Sequence, residues 1–364
     1  MSKFVISCGG TGGHLAPGIA IGEALLAAGN EVVFVISQKG IDSQLMQKYA
    51  GFKVVKTPGA PFSLSPIRFL KFLYNQTKSV CYMIKLLRSE KCDVAISFGG
   101  FTALGLSVAA AILKVPLVLH EANRKAGKAI KFLNRFARRI YVPHGVNISR
   151  RRSGIIKHAG YPIRQEIKKL PAEDSKEFFG FKRSANILLI LGGSQGAIAL
   201  NGWAADNFDE LARHNIDVLC ICGPGKTRYS GAEGMGSDGR MHKIKYLPFC
   251  DNMSAALSCA TLAIARAGAG TIAEFARCRL PSILVPYPHS ADNHQLENAK
   301  CFEKQGASIL VEQKDLGSLL NEAVAMMHNK KLRHAMLKNL ERVDYLNDMN
   351  KIVSDLNFIA NNSE

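Results

Sequence analysis

No run of apolar residues in this chain reaches the roughly 18 needed to cross a bilayer. The longest approach, Ala103 to Val118, is broken by Lys114 and Pro116, so any contact with a membrane is expected to lie on its surface. No Cys-x-x-Cys pair occurs among the nine cysteines, the nearest being Cys220-x-Cys222, which argues against a structural zinc site. Their number is odd, and Cys8, Cys220, Cys222 and Cys259 stand in or beside apolar runs, the pattern of buried thiols in a reducing compartment. The N-terminus has one lysine, a short apolar run and then glycines, which is not the build of a secretory leader. Acids are missing locally as well: from Ala122 to Gln165 there is neither Asp nor Glu.

What remains is basic and globular. The 364 residues carry 47 Lys and Arg against 29 Asp and Glu, a net charge of +18 with 47% hydrophobic residues, and the sequence pI is about 9.6. The length favours two domains. The charge points to phosphate-bearing substrates, an anionic membrane surface or nucleic acid. The acid-free stretch holds Arg124, Lys125, Lys128, Lys131, Arg135, Arg138, Arg139, Arg150, Arg151, Arg152 and Lys157, but only Phe132, Phe136 and Tyr141 as stacking partners. That is too few aromatics for an RNA platform, and no nucleic acid is expected. A second stretch, Pro61 to Lys91, interleaves Phe62, Leu64, Leu70, Leu73, Tyr74 and Met83 with Arg68, Lys71, Lys78, Lys85 and Arg88. It reads either as a basic amphipathic surface on anionic lipid or as a core helix with a cationic outer face.

Short apolar runs alternate with helical patterns, the mark of parallel sheets of Rossmann type. Strands are expected at 4–6, 32–36, 54–56, 93–98 and 116–120, then at 186–191, 218–222, 243–246, 262–265 and 282–286. Gly160-Tyr161-Pro162 reads as a turn and domain boundary, Ser230 to Gly239 as an exposed loop, and the chain from Leu316 onward as helical. The fold class is therefore α/β, with two Rossmann-like domains facing across a cleft.

Each half begins with the same device. Phe4-Val5-Ile6 runs into Ser7-Cys8-Gly9-Gly10-Thr11-Gly12-Gly13-His14 and an amphipathic helical pattern; Asn186 to Leu191 runs into Gly192-Gly193-Ser194-Gln195-Gly196-Ala197 and another. Glycine turns between strand and helix let the backbone approach a ligand and aim free N–H groups at an anion. A dinucleotide fingerprint is excluded, because Leu15 stands where its third glycine belongs and the second strand ends Ile36-Ser37-Gln38 without an acid. Neither turn supplies the Gly-Lys-Ser/Thr of a P-loop. Arg266-Ala267-Gly268-Ala269-Gly270-Thr271-Ile272-Ala273-Glu274 opens another helix after a strand. Glu274 fits a sugar diol and equally a first-turn dipole partner or half of a Thr-x-x-Glu capping box. His14 is a candidate general base, disfavoured as imidazolium near a helix N-terminus, or a loop-packing histidine. His120-Glu121 and Asn123 line the same cleft or satisfy buried turns.

Taken together, Gly9 to His14, Ser97-Phe98-Gly99-Gly100-Phe101, His120-Glu121-Ala122-Asn123, Gly160-Tyr161-Pro162-Ile163-Arg164, Gly192 to Ala197, Arg266 to Ala269 with Glu274, and His294-Gln295 with Asn298-Ala299 resemble the MurG family. Those are the N-acetylglucosaminyltransferases that make lipid II in peptidoglycan synthesis. The resemblance runs nearly the whole chain in order. It implies an inverting, metal-independent GT-B enzyme without a cofactor, moving GlcNAc from UDP-GlcNAc to the 4-hydroxyl of MurNAc in undecaprenyl-pyrophosphoryl-MurNAc-pentapeptide (lipid I). It implies His14 as base; Thr11, Gly12, Gly13 and Asn123 on the donor sugar; and Arg164, Ser194 and Gln195 at nucleotide and diphosphate. Cys250 falls at the uracil, Ala269, Gly270, Thr271, Ile272, Ala273 and Glu274 at ribose and diphosphate, and Gln295 at the GlcNAc hydroxyls. Gly9, Gly10, Gly99, Gly100 and Phe101 fall to the acceptor. It further implies residues 1–160 as acceptor and membrane domain, with a C-terminal helix at about 345–364 packing back on it, and 161–344 as the UDP-GlcNAc domain. The site of action is the cytoplasmic face of the bacterial inner membrane, with anionic lipid and cell-wall synthesis and division proteins as partners. Thr102-Ala103-Leu104-Gly105, Tyr161 and Ala122 depart from the family's usual residues. Outside this resemblance stand a GT-B glycolipid synthase with another lipid acceptor, and a non-catalytic protein that binds nucleotide sugar or membrane.

Overall fold

The computed structural model describes residues 1–9, 12–38, 46, 48–49, 51–57, 66–148, 154–226 and 228–362, without the side chains of 12, 66–69 and 101. Two compact units emerge: residues 1–165 with 346–364, and residues 166–345. The chain thus leaves the first unit just past Gly160-Tyr161-Pro162 and returns to it at Leu346.

In the first unit, β1 (Lys3–Ser7), β2 (Glu31–Ser37), β3 (Lys53–Thr57), β4 (Val94–Ser97), β5 (Leu117–His120), β6 (Arg139–Val142) and β7 (Ile156–His158) pair in parallel in the order β3-β2-β1-β4-β5-β6-β7. Side chains alternate between the faces. Phe4, Ile6, Phe34 and Ile96 pack against α1 (Gly12–Ala27) and α13 (Met349–Asn361). Val5, Val33, Val35 and Leu119 pack against α2 (Pro66–Ser89), α3 (Gly100–Leu113) and α4 (Lys128–Leu133). Strands β6 and β7 lie in the acid-free stretch, whose charges masked their short apolar runs. Helix α1 is not amphipathic. Leu15, Ile19, Ile21 and Leu25 are all fully buried, because α13 covers the flank that the sheet leaves open. That C-terminal helix is capped by Asp348, which accepts from the Lys351 N–H. It is then stapled down by Asp355: Arg139 Nη2 donates to Oδ1 at 3.0 Å and the Tyr141 hydroxyl to Oδ2 at 2.8 Å. Arg139, counted from sequence with a basic surface, is therefore a half-buried ion-pair partner and belongs to the interior network.

In the second unit, β8 (Asn186–Leu191), β9 (Ile216–Ile221), β10 (Ala232–Met235), β11 (Met241–Leu247), β12 (Leu262–Ala265), β13 (Ser282–Leu284) and β14 (Ser308–Leu310) take the order β10-β11-β9-β8-β12-β13-β14. All neighbours are parallel except β10 and β11. The sheet carries α5 (Ala172–Phe178), α6 (Ile198–Asp206), α7 (Phe208–Arg213), α8 (Met253–Cys259), α9 (Ala269–Cys278), α10 (His294–Lys304), α11 (Leu319–His328) and α12 (Lys330–Tyr345). The stretch read as an exposed loop from Ser230 to Gly239 is half of a β-hairpin. Its tip is clamped by His242, whose ring nitrogens lie 3.1 Å from Asp217 Oδ2 on β9 and 3.3 Å from Asp238 Oδ1 in the hairpin turn.

Asp355→Ala leaves a partly buried guanidinium and the Tyr141 phenol without their acceptor, at a cost of about 1–3 kcal/mol. The single tryptophan, Trp203, is buried in the second unit. In denaturant, the transition seen by circular dichroism is expected to shift to lower concentration in this variant while the Trp203 fluorescence transition stays where it was.

Candidate active site

Ligands of open parallel sheets sit beyond the carboxyl ends of the strands, where the strand order reverses. In the first unit that point lies between β1 and β4, whose last residues, Ser7 and Ser97, are partners in register. The turns that follow are tied together: the Thr102 hydroxyl donates to the Gly9 carbonyl at 2.9 Å. Thr102, a departure from the family's usual residue, thus has a structural task. Gly99 caps α3 with φ 89° and Gly100 follows with φ 76°. The His14 ring, in the first turn of α1, lies over Gly100 so closely that a Cβ there would stand 3.3 Å from Nδ1 and Cε1. Only glycine meets both demands. Gly13 is exposed beside His14. Gly12 opens α1 and Phe101 enters α3; Gly10 and Thr11 lie outside the described residues.

Beyond β5, Glu121 builds the next loop from inside. Its Oε1 accepts from the backbone and side-chain N–H groups of Asn123 at 2.8 and 3.1 Å, and its Oε2 from the Gly127 N–H at 2.7 Å. Of the two readings left open for Glu121, the turn-building one is what the bonds describe, and the residue it orients is Asn123. His120 is buried, its Nε2 lies 3.3 Å from the Gly160 carbonyl and its ring leans on Phe98. Burial drives its pKa from 6.5 down to about 4. Arg164 is also buried, at the end of this unit.

The second unit reverses between β8 and β12. Two helices begin there side by side, and neither has a side-chain cap: Ala197 precedes α6 and Gly268 precedes α9. The backbone N–H groups of Ser194, Gln195 and Ala197, and of Ala269, Gly270 and Thr271, meet no acceptor among the described residues. Ser194 and Gln195 are exposed. Two positive helix ends with open donors make an anion site. Thr271 is the third residue of α9 and so cannot be its cap; Glu274 lies in the second turn. The capping-box and first-turn readings of Glu274 are thereby overturned. Ile272 and Ala273 face the core. Gln295 accepts from the Tyr287 N–H through Oε1 at 2.9 Å, and its NH₂ meets no acceptor among the described residues. Cys250 is buried in the turn between β11 and α8.

Arg266 is a buried cation at the end of β12. Its guanidinium donates to the carbonyls of Val285 and Pro286 at 3.1 and 3.2 Å and to Gln313 Oε1 at 2.5 Å, with no carboxylate among its partners in the described residues. A third glycine turn, Gly223 to Lys226, follows β9 and packs on Gly192 to Ala197; nothing in the sequence reading singled it out. Its signal was a Gly-x-Gly-Lys directly after an apolar run. Among the described residues no group of three or more His, Cys, Asp or Glu is placed to hold a metal ion.

Residues 4–142 match the glycosyltransferase family 28 N-terminal domain and residues 187–354 the family 28 C-terminal domain. The chain is 41% identical over 98% of its length to an Opitutus terrae protein, 94% of which is covered, named UDP-N-acetylglucosamine–N-acetylmuramyl-(pentapeptide) pyrophosphoryl-undecaprenol N-acetylglucosamine transferase. A protein of that name from Carboxydothermus hydrogenoformans is 32% identical, with 85% of this chain and 84% of the relative covered. The chain belongs to the MurG family. It is accordingly a glycosyltransferase, and its two parallel-sheet units are those of the GT-B class. MurG of Acinetobacter baumannii has the same fold, with a TM-score of 0.69 at 23% identity over 98% of this chain and 99% of that one. So has a Staphylococcus aureus MnaA–UDP structure, with a TM-score of 0.69 at 13% identity over 99% and 97%.

The buried His120 of this MurG relative makes stability depend on pH. The folded unit keeps the ring neutral, whereas the unfolded chain takes up a proton below its ordinary pKa of 6.5. Stability is therefore full above pH 6.5 and declines as pH falls towards about 4, by up to about 3 kcal/mol from this group. Unfolding measured across that window is expected to lose part of its pH slope in His120→Gln, whatever the variant's stability at pH 7.

Proposed function

We propose that this chain transfers GlcNAc from UDP-GlcNAc to the 4-hydroxyl of MurNAc in undecaprenyl-pyrophosphoryl-MurNAc-pentapeptide, the step from lipid I to lipid II of peptidoglycan synthesis. The observation that carries it is the pairing of chemistries at the two switch points: a histidine ring seated on a glycine turn in one unit, and adjoining uncapped helix ends in the other.

His14 takes the proton of the acceptor hydroxyl. The oxygen then attacks the anomeric carbon of GlcNAc on the face opposite the diphosphate. The bond from that carbon to the β-phosphate oxygen breaks, its electron pair leaves with UDP, and the configuration inverts. Charge growing on the leaving diphosphate is met by the N–H groups of Ser194, Gln195, Ala197 and Ala269 to Thr271, and by Arg164. The uncompensated Arg266 adds a fixed positive field at the same strand ends. Glu274 holds the ribose diol, backbone at Cys250 the uracil, and Gln295, with Asn123, the sugar hydroxyls. Thr11, Gly12 and Gly13 stand with Asn123 on the donor sugar, and the turns at Gly9, Gly10, Gly99 and Gly100, with Phe101, hold the acceptor pyrophosphate.

The enzyme acts from the cytoplasmic face of the membrane, within the machinery of wall growth and division. No described helix is long and apolar enough to cross a bilayer. Support for surface binding comes from one face of the N-terminal sheet. There Leu70, Leu73, Tyr74 and Tyr82 on α2, Ile112 on α3, Phe132 on α4 and Phe136 just after it are exposed. Exposed Lys71, Lys78, Lys85, Arg88, Lys114, Lys128, Lys131, Arg135 and Arg138 stand among them. Met83, Leu86 and Leu87 fill the inner side of α2, so this helix is core on one face and basic-apolar on the other. Arg68 and 61–65, part of the same reading, lie outside what is described.

Labelled GlcNAc is expected to pass from UDP-GlcNAc to lipid I in detergent with EDTA present. His14→Ala should lower turnover by about 10²–10⁴-fold and leave UDP-GlcNAc binding intact; full activity in the variant removes His14 from the mechanism. With lipid I inert and donor binding intact, the acceptor is another lipid. Replacing Lys71, Lys78 and Lys85 by Gln should weaken binding to anionic vesicles in a salt-dependent way, by about 1 kcal/mol per residue at low salt. Unchanged binding makes this an ordinary solvated face.

A further inference from the structure

We propose that Lys226, on the turn after β9, is a positioning residue for the donor diphosphate, so that the phosphate site spans three strand ends in place of two. The inference rests on the donor-site reading above.

The turn at 192–197 is held in shape by the neighbouring turn at 222–226, backbone against backbone. Gly196 has φ 68°, and a Cβ on it would stand 1.7 Å from the Cys222 carbonyl oxygen; Gly223 has φ 93°, and its Cβ would stand 2.6 Å from Gly196 N and Cα. Neither turn can move without the other. Asn201, buried in α6, locks the contact by donating from Nδ2 to the Cys222 carbonyl at 3.1 Å. The Gly196 N–H is turned inward, donating to the Gly193 carbonyl at 2.9 Å, and so is unavailable to a ligand.

Lys226 completes the arrangement. Its Nζ donates to the Gly196 carbonyl oxygen at 3.2 Å. It has no carboxylate partner among the described residues. The bond occupies the Gly196 carbonyl oxygen, a partial negative charge on this turn, with an ammonium. It leaves the N–H groups of Ser194, Gln195 and Ala197 as the turn's open face, and it sets a positive charge against them. An ammonium has three donors, and the carbonyl uses one. The chemistry favours an anion with charge at its far end: a nucleoside diphosphate over a nucleoside.

The test compares UDP, UMP and uridine binding by calorimetry to wild type, Lys226→Met and Lys226→Arg, with Trp203 fluorescence as the check on folding. Lys226→Met is expected to weaken UDP about tenfold or more, UMP less, and uridine not at all; Lys226→Arg should recover most of the loss. In turnover, the KM for UDP-GlcNAc should rise more than kcat falls. A lysine that merely braced the loop would shift uridine and UDP together, and that result, or no change in either, overturns the inference. A wild-type chain that binds no UDP overturns the donor-site reading itself and this inference with it; wild-type binding with an indifferent Lys226→Met overturns only the latter.

Discussion

Everything in the second unit's site depends on one exclusion: no side-chain atom can stand between the turn after β8 and the turn after β9. With Gly196 and Gly223 in contact through their backbones, the two turns become a single rigid ledge. The free N–H groups along it then point in a fixed direction. Donors fixed before the ligand arrives need no reorganisation when charge develops, and such preorganisation is where electrostatic stabilisation gains its size. In the first unit the same exclusion operates differently. Gly100 makes room for an imidazole ring, that of His14.

The electrostatics follow from how little negative charge these strand ends contain. Helix ends α6 and α9 are uncapped, and Arg266 is buried against carbonyls. In many proteins a capping Ser or Asp and a partner Glu would stand at such places; here those positions are Ala197, Gly268 and carbonyl oxygens. Each omission costs some stability, and together they leave open N–H donors and a positive potential at these helix ends. Glu121, the carboxylate nearest the first unit's site in sequence, is consumed by three N–H groups and shapes a loop.

Much of this was legible in the residues. Runs such as Asn186 to Leu191 and Leu262 to Ala265 are buried strands at the positions their composition predicts, because a strand covered on both faces must be apolar throughout. The turn glycines after β1 and β8 were legible because few other residues fit such turns, whereas the glycine turn after β9 was missed. The short strands β6, β7 and β14 were not: β6 and β7 sit amid the cations of the acid-free stretch, and β14 is three residues without a glycine turn after it. Strand β10 hid inside a Gly- and Ser-rich stretch because it exists only through its backbone pairing with β11.

By itself the sequence determined the two strand–glycine–helix openings, the parallel α/β class, the surplus of positive charge and the identity of the turn residues, since all of these are local demands of backbone geometry or simple sums. Only the tertiary structure decided which turns adjoin, because strand order brings together β1 with β4 and β8 with β12, elements far apart along the chain. It also decided that Arg139 belongs to an interior ion pair, that α1 is covered by the sheet on one side and by a helix that begins at Met349 on another, and that Lys226 faces Gly196. These are contacts between distant segments, and their free energies exist only once both partners are held in place.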